Sequence, residues 1–94
     1  MTTPRSRAPS PHRILADLGR NLRALRLARG MSQSALERAA RLARSYIDGV
    51  ESGRRNPTIS TVFRLARALG VGPAALFAPR ASPRGQRLKA RAKR

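Results

Sequence analysis

The chain has 94 residues, with 21 Lys plus Arg against 4 Asp plus Glu for a formal charge of +17, an imbalance that calls for a polyanionic partner or full solvation. Cysteine is absent and His12 is the single histidine, which leaves no disulfide framework and no way to build a tetrahedral His/Cys site, so neither a metal nor a cofactor is expected. Sixteen alanines and eleven leucines against six β-branched aliphatic residues and three aromatics favour close-packed short helices over a sheet: the expected fold class is all-α, one small domain with no room for a large catalytic cleft.

Residues 1–12 hold three Pro, two Ser and two Thr with hardly any apolar bulk, too little to offset the entropy of ordering, and read as a disordered N-terminal arm. The domain proper is expected over residues 13–78. Its first helix carries Leu15, Leu18, Leu22 and Leu25 at spacings of three, four and three, all on one face, and stops at Gly30. Ser32 is a good N-cap for a second helix over residues 33–40, with Leu36 and Ala40 as a narrow apolar stripe. A third begins near Ala43 or Arg44, buries Ile47 and Val50, and ends at Gly53. Asn56-Pro57 breaks the chain, and Thr58 caps a fourth helix in which Ile59, Val62, Ala66 and Leu69 repeat the three, four, three spacing up to Gly70. Gly72-Pro73 opens a short fifth helix with Leu76 and Phe77 to bury. Residues 79–94 hold seven basic residues and no acid, with Leu88 as their only large apolar side chain, and read as a basic disordered tail.

No apolar run reaches the 18 or so residues of a membrane span, and no signal-type hydrophobic segment opens the chain. A cytoplasmic protein without membrane contact is expected.

Two short helices joined by a few residues match the spacing that lays one helix across a DNA backbone while the next enters the major groove. Helical hairpins are common, and what sharpens this one is an ordered string: Ser32-Gln33, Leu36, Tyr46-Ile47, Glu51-Ser52-Gly53, Asn56-Pro57-Thr58 and Ala68-Leu69-Gly70. The string resembles the Cro-type, lambda-repressor-like (XRE) helix-turn-helix family over roughly Leu15 to Phe77. That resemblance implies a compact five-helix lambda-repressor-like DNA-binding domain between disordered basic tails. Within the class, Tyr46-Ile47-Asp48-Gly49-Val50-Glu51 and Asn56-Pro57 are similar to the small controller proteins of restriction-modification systems, with antitoxin autorepressors and phage repressors also open.

Position by position, the resemblance implies that Arg44, Ser45, Tyr46 and Gly49 face the groove. Arg44 is the best base reader, because a guanidinium can donate two hydrogen bonds to guanine O6 and N7; the alternative is contact with phosphate alone. Ser45 can donate to a base or a phosphate. Tyr46 is read as a phosphate-contacting hydroxyl, the alternative being a partly buried ring packed on the second helix. At Gly49 a reading position is empty, which implies a short reading surface or close backbone approach. Gln33 stands at a helix N-terminus, where backbone N–H groups favour an anion, and is expected to anchor a phosphate. Arg54, Arg55 and Asn56 are expected to run along the same backbone and hold position rather than read sequence. The resemblance also implies a structural ion pair between Arg26 and Glu51.

Two departures stand out. Glu37 occupies a position where the family usually has a small Ala, and Arg41 one where it often has Gly. An acid at the tight contact between the two helices needs a partner, and pairing with Arg41 or Arg44 is expected to fix the recognition helix.

The expected function is a sequence-specific DNA-binding transcriptional regulator, dimeric on a two-fold operator because one motif of this size buries only about 600 to 1,000 Å². Val71, Leu76 and Phe77 are candidates for the dimer interface or, alternatively, for closing the core over the first helix. A second class is a non-specific nucleoid-type nucleic-acid binder driven by charge, and a third is an antitoxin-type interaction module with a protein partner on the C-terminal tail. Four scattered acids and one His in the arm offer no acid–base pair, so no enzyme is expected.

Overall fold

The computed structural model describes residues 10–79. The expected arm lies outside the described residues up to residue 9, and the expected basic tail lies outside them from residue 80. Five helices follow in order: α1 (Pro11–Ala28), α2 (Gln33–Ala40), α3 (Tyr46–Glu51), α4 (Ile59–Leu69) and α5 (Ala74–Phe77). Among the described residues there is no strand, and no helix is long and apolar enough to cross a membrane.

The domain starts earlier than residue 13. Ser10 is extended and its hydroxyl accepts the N–H of Arg13 at 3.2 Å, while Pro11 stands at the first helical position. Its missing N–H would have been unpaired there in any case, so residues that look like arm by composition are a helix start. Leu18 and Leu22 of the α1 stripe are buried, with Leu15 and Leu25 at its edges.

Ser32 and Thr58 cap α2 and α4 through hydroxyls that accept the N–H groups of Ala35 at 3.0 Å and Thr61 at 3.2 Å. Gly70, at φ 71°, ends α4 in the left-handed region, a conformation glycine adopts without penalty. The α4 stripe differs from expectation at its first member: Val62, Leu65, Ala66 and Leu69 are buried, but Ile59 is 68% exposed. Likewise Leu76 of α5 is fully buried whereas Phe77 remains 39% exposed. In both cases the position lies at a helix end, where the apolar repeat runs past the edge of the core.

α1 packs against α3 and α5, α2 packs against α3 and α4, and α4 closes onto α5. Leu18, Leu22, Leu36, Ile47, Leu65 and Leu69 form the centre of the core, and full burial of such a side chain contributes about 1.5 to 3 kcal/mol. Buried Gly19 lets α1 lie directly on the carbonyls that end α3. Asn21 clamps the other contact of α1, its amide donating to the carbonyls of Leu76 at 3.0 Å and Ala78 at 2.8 Å.

Candidate nucleic-acid interface

The connection between α2 and α3 contains two non-glycine residues in the left-handed region, Arg41 at φ 58° and Ser45 at φ 69°, each costing about 1 to 2 kcal/mol. The second of these delays α3: the helix begins at Tyr46 rather than near Arg44, and Arg44 and Ser45 belong to the turn that precedes it. Ser45 offers no side-chain cap to α3. That role falls to Glu37, whose buried carboxylate Oε2 accepts the N–H of Ile47 at 3.1 Å. The expected pairing of Glu37 with Arg41 or Arg44 is therefore not formed. The carboxylate turns inward to a backbone donor that otherwise lacks a side-chain acceptor, while both arginines stay exposed.

Six of the residues singled out in the sequence meet beside α3, from the turn before it to the loop after it. Ser45, Tyr46, Gly49, Arg54, Arg55 and Asn56 line one open concavity of about 530 Å³. Gly49 does not project into it as a reading position: it is buried beneath the stem of Arg55, and its carbonyl accepts the N–H groups of Arg54 at 2.9 Å and Arg55 at 3.1 Å. The glycine thus seats the loop that follows the helix. The Arg55 guanidinium lies 5.1 Å from the centre of the Tyr46 ring, within reach of a cation–π attraction. Tyr46 is half-buried against the core, so its ring supports Arg55. Arg44 stands apart, in a second depression shared with Ser34, Glu37, Arg38 and Leu42.

An ionic lattice runs behind this surface. Arg26 grips Glu51 at two points, Nε to Oε2 at 2.6 Å and Nη2 to Oε1 at 3.1 Å, and its third nitrogen donates to the Met31 carbonyl at 2.8 Å. The hydrogen bond to Glu51, reinforced by the charge of that carboxylate and opposed by burial, raises the Arg26 guanidinium above its ordinary value. Arg23 approaches the same carboxylate at 3.9 Å. Gln33 does not present its amide outward as a phosphate anchor: Nε2 donates to Glu51 at 3.1 Å and lies 3.5 Å from Asp48. Asp48 in turn accepts from Arg54 at 3.1 Å. Asp17 pairs with Arg20 one turn along α1. All four acids of the chain are thus engaged internally, and of their side chains only that of Asp48, 57% exposed, meets solvent widely. Asp48 and Asn21 are participants that the sequence reading missed. Asp48 had one legible signal, a place on α3 six residues before Arg54 across a glycine turn.

A family model described as helix-turn-helix (HTH_3) matches residues 22–76, more than half of the chain. The chain belongs to the helix-turn-helix family. It is a sequence-specific DNA-binding transcriptional regulator. The regulator is 39% identical over 62 residues to the uncharacterized HTH-type transcriptional regulator y4dJ of Sinorhizobium fredii, an alignment covering 66% of this chain and 80% of that one. Among solved structures it is similar to the restriction-modification controller protein C.AhdI from Aeromonas hydrophila, at 44% identity and a TM-score of 0.65, over 67% of this chain and 96% of that one. It is also similar to the controller protein C.Esp1396I, solved as a tetramer with its natural 35 base-pair operator, at 31% identity and a TM-score of 0.62, over 68% of this chain and 84% of that one.

For a helix-turn-helix regulator this geometry has a clear chemical capacity. The concavity offers Ser and Tyr hydroxyls, an Asn amide and two guanidinium groups, donors suited to the oxygens of a sugar–phosphate backbone. The acids that would oppose a polyanion are mostly turned into the fold.

Proposed function

We propose that the regulator reads a two-fold operator as a homodimer, with α3 in the major groove and the loop after it on the flanking backbone. The observation that carries this reading is the convergence of Ser45, Tyr46, Gly49, Arg54, Arg55 and Asn56 on one concavity beside α3. Arg44, exposed immediately ahead of α3, is the base reader and donates to guanine O6 and N7. Ser45 and the Tyr46 hydroxyl contact the backbone or a base edge beside it. Arg54, Arg55 and Asn56 hold phosphates, and Gln33 joins them once DNA draws its amide away from Glu51. The operator complex of C.Esp1396I supports DNA as the partner. The regulator acts at the nucleoid, in the cytoplasm.

Of the three residues considered for the dimer surface, Val71 and Phe77 keep exposed area and Leu76 takes the alternative role of closing the core. Leu76 is fully buried and cannot serve. Ile59 and Phe63, 68% and 55% exposed, lie one turn apart on α4, and Phe63 continues into a shallow groove with Val71 and Pro73. Large apolar side chains grouped on the surface of a small regulator mark an association site.

Selection from a random duplex library at about 150 mM salt, where purely electrostatic background is suppressed, tests the reading. The expected result is one inverted repeat with half-sites about one helical turn apart, and a loss of preference at one base pair of each half-site in Arg44→Ala. Strong binding that enriches no sequence would replace this reading with that of a general nucleic-acid coat.

A further inference from the structure

We infer that Glu37 is a positioning residue for DNA reading: its carboxylate supplies the cap that α3 lacks and thereby fixes where Arg44, Ser45 and Tyr46 stand. The inference rests on the proposed placement of α3 in the groove.

A helix of six residues is too short to sustain itself and takes its position from what surrounds it. Its first N–H groups have no partners within the helix. The usual remedy, a side-chain oxygen at the preceding residue, is missing because Ser45 is left-handed and makes no cap bond. Tyr46 donates its N–H to the Ala43 carbonyl at 3.2 Å and Gly49 donates to Ser45 at 3.3 Å. The N–H of Ile47 goes to Glu37, ten residues back in the middle of α2.

Glu37 also holds the near end of the same turn, since its backbone carbonyl accepts the N–H of Leu42 at 2.8 Å. One residue thus grips both sides of a connection that contains two left-handed non-glycine residues. Such a connection keeps its shape only when its surroundings over-determine it. Neighbouring Leu36, in the core, anchors α2, so the bond from Glu37 transmits the position of α2 to α3. Glu37 is buried, 6% exposed as a residue, and a charged acceptor sheltered at a helix N-terminus makes a strong, directional bond. Arg44 lines the same depression as Glu37, so the reading guanidinium starts from the backbone that this bond fixes.

The test compares Glu37→Met, which keeps the stem and removes the acceptor, with Glu37→Gln, which keeps an acceptor oxygen at similar reach. Binding is measured well below each Tm against the duplex most enriched by the unaltered chain and against a scrambled duplex of equal length. Expected is a loss of about tenfold on the enriched duplex for Glu37→Met, the order of a hydrogen bond to a charged group. Binding to the scrambled duplex holds or rises slightly, because it depends on net charge, which both variants raise by one, and Glu37→Gln recovers most of the loss. A merely structural role lowers Tm but leaves the ratio of the two affinities unchanged, and an unchanged ratio in Glu37→Met overturns the inference. Arg44→Ala in the same assay separates the failures. If it lowers the ratio while Glu37→Met does not, the inference alone falls; if neither lowers it, α3 is not the reader and both readings fall. Amide exchange on the unaltered chain needs no variant: the Ile47 N–H is expected to exchange far more slowly than that of Arg44, and equal rates overturn the inference.

Discussion

A methyl group at residue 49 would lie 2.7 Å from Cγ of Arg55 and 3.3 Å from its Cδ and Nε. The clash is with a flexible side chain, so it displaces Arg55 rather than the helix. Gly49→Ala is therefore expected to leave Tm unchanged or slightly higher, since Ala gains about 1 kcal/mol over Gly inside a helix. DNA affinity is expected to fall several-fold as Arg55 leaves the Tyr46 ring, an interaction worth about 0.5 to 1 kcal/mol at an exposed site. Calorimetry and a binding titration on the same sample check both halves.

Gly19 makes the opposite prediction. A Cβ there would meet the carbonyl oxygens of Val50 and Glu51 at 2.6 Å, and backbone at a helix end cannot swing aside. Gly19→Ala is expected to destabilise the fold by about 1 to 3 kcal/mol, the range for overpacking. Urea unfolding at constant slope measures it.

Glu51→Ala would leave Arg26 buried without its partner, at an expected cost of about 3 to 5 kcal/mol. The guanidinium is raised above its ordinary value by Glu51, so its contribution is fully present below the unfolded value and is lost only as pH climbs through the raised one. The coupling between Arg26 and Glu51, measured by a double-mutant cycle, is therefore expected to be flat from pH 7 to about 10. A decline across that window would contradict the pairing.

Phe63→Ser and Ile59→Thr remove exposed apolar surface on α4 without touching the core. In sedimentation the unaltered chain is expected to run as a dimer and the double variant, at the same concentration, as a monomer. Fold stability is expected to stay within about 0.5 kcal/mol, as for other surface changes.

Helix existence was legible because it depends on short-range pattern. The leucine stripe of α1, the hydroxyl caps at Ser32 and Thr58 and the glycine stop at Gly70 all lie within a few residues of what they control. The start of α1 was hidden because Ser10 and Pro11 look alike in a disordered arm and in a helix cap. The site was legible as a set of residues and less so as an arrangement. Arg54, Arg55 and Asn56 gather with Tyr46, yet nothing local indicates that Gly49 lies under Arg55. Glu37 was recognised as an acid in need of a partner, but its partner is a backbone N–H ten residues away, which has no sequence signature. Asn21 reaches α5 across 55 residues, beyond any periodicity.

The placement of the four acids separates the regulator's two electrostatic tasks. Inside, carboxylates act as rivets: Glu51 and Glu37 are sheltered from ions, and salt screens sheltered pairs only weakly. Outside, the cations face a mobile counterion cloud that any phosphate must displace. Ionic strength therefore works as a dial on occupancy of DNA while leaving the architecture that does the reading intact.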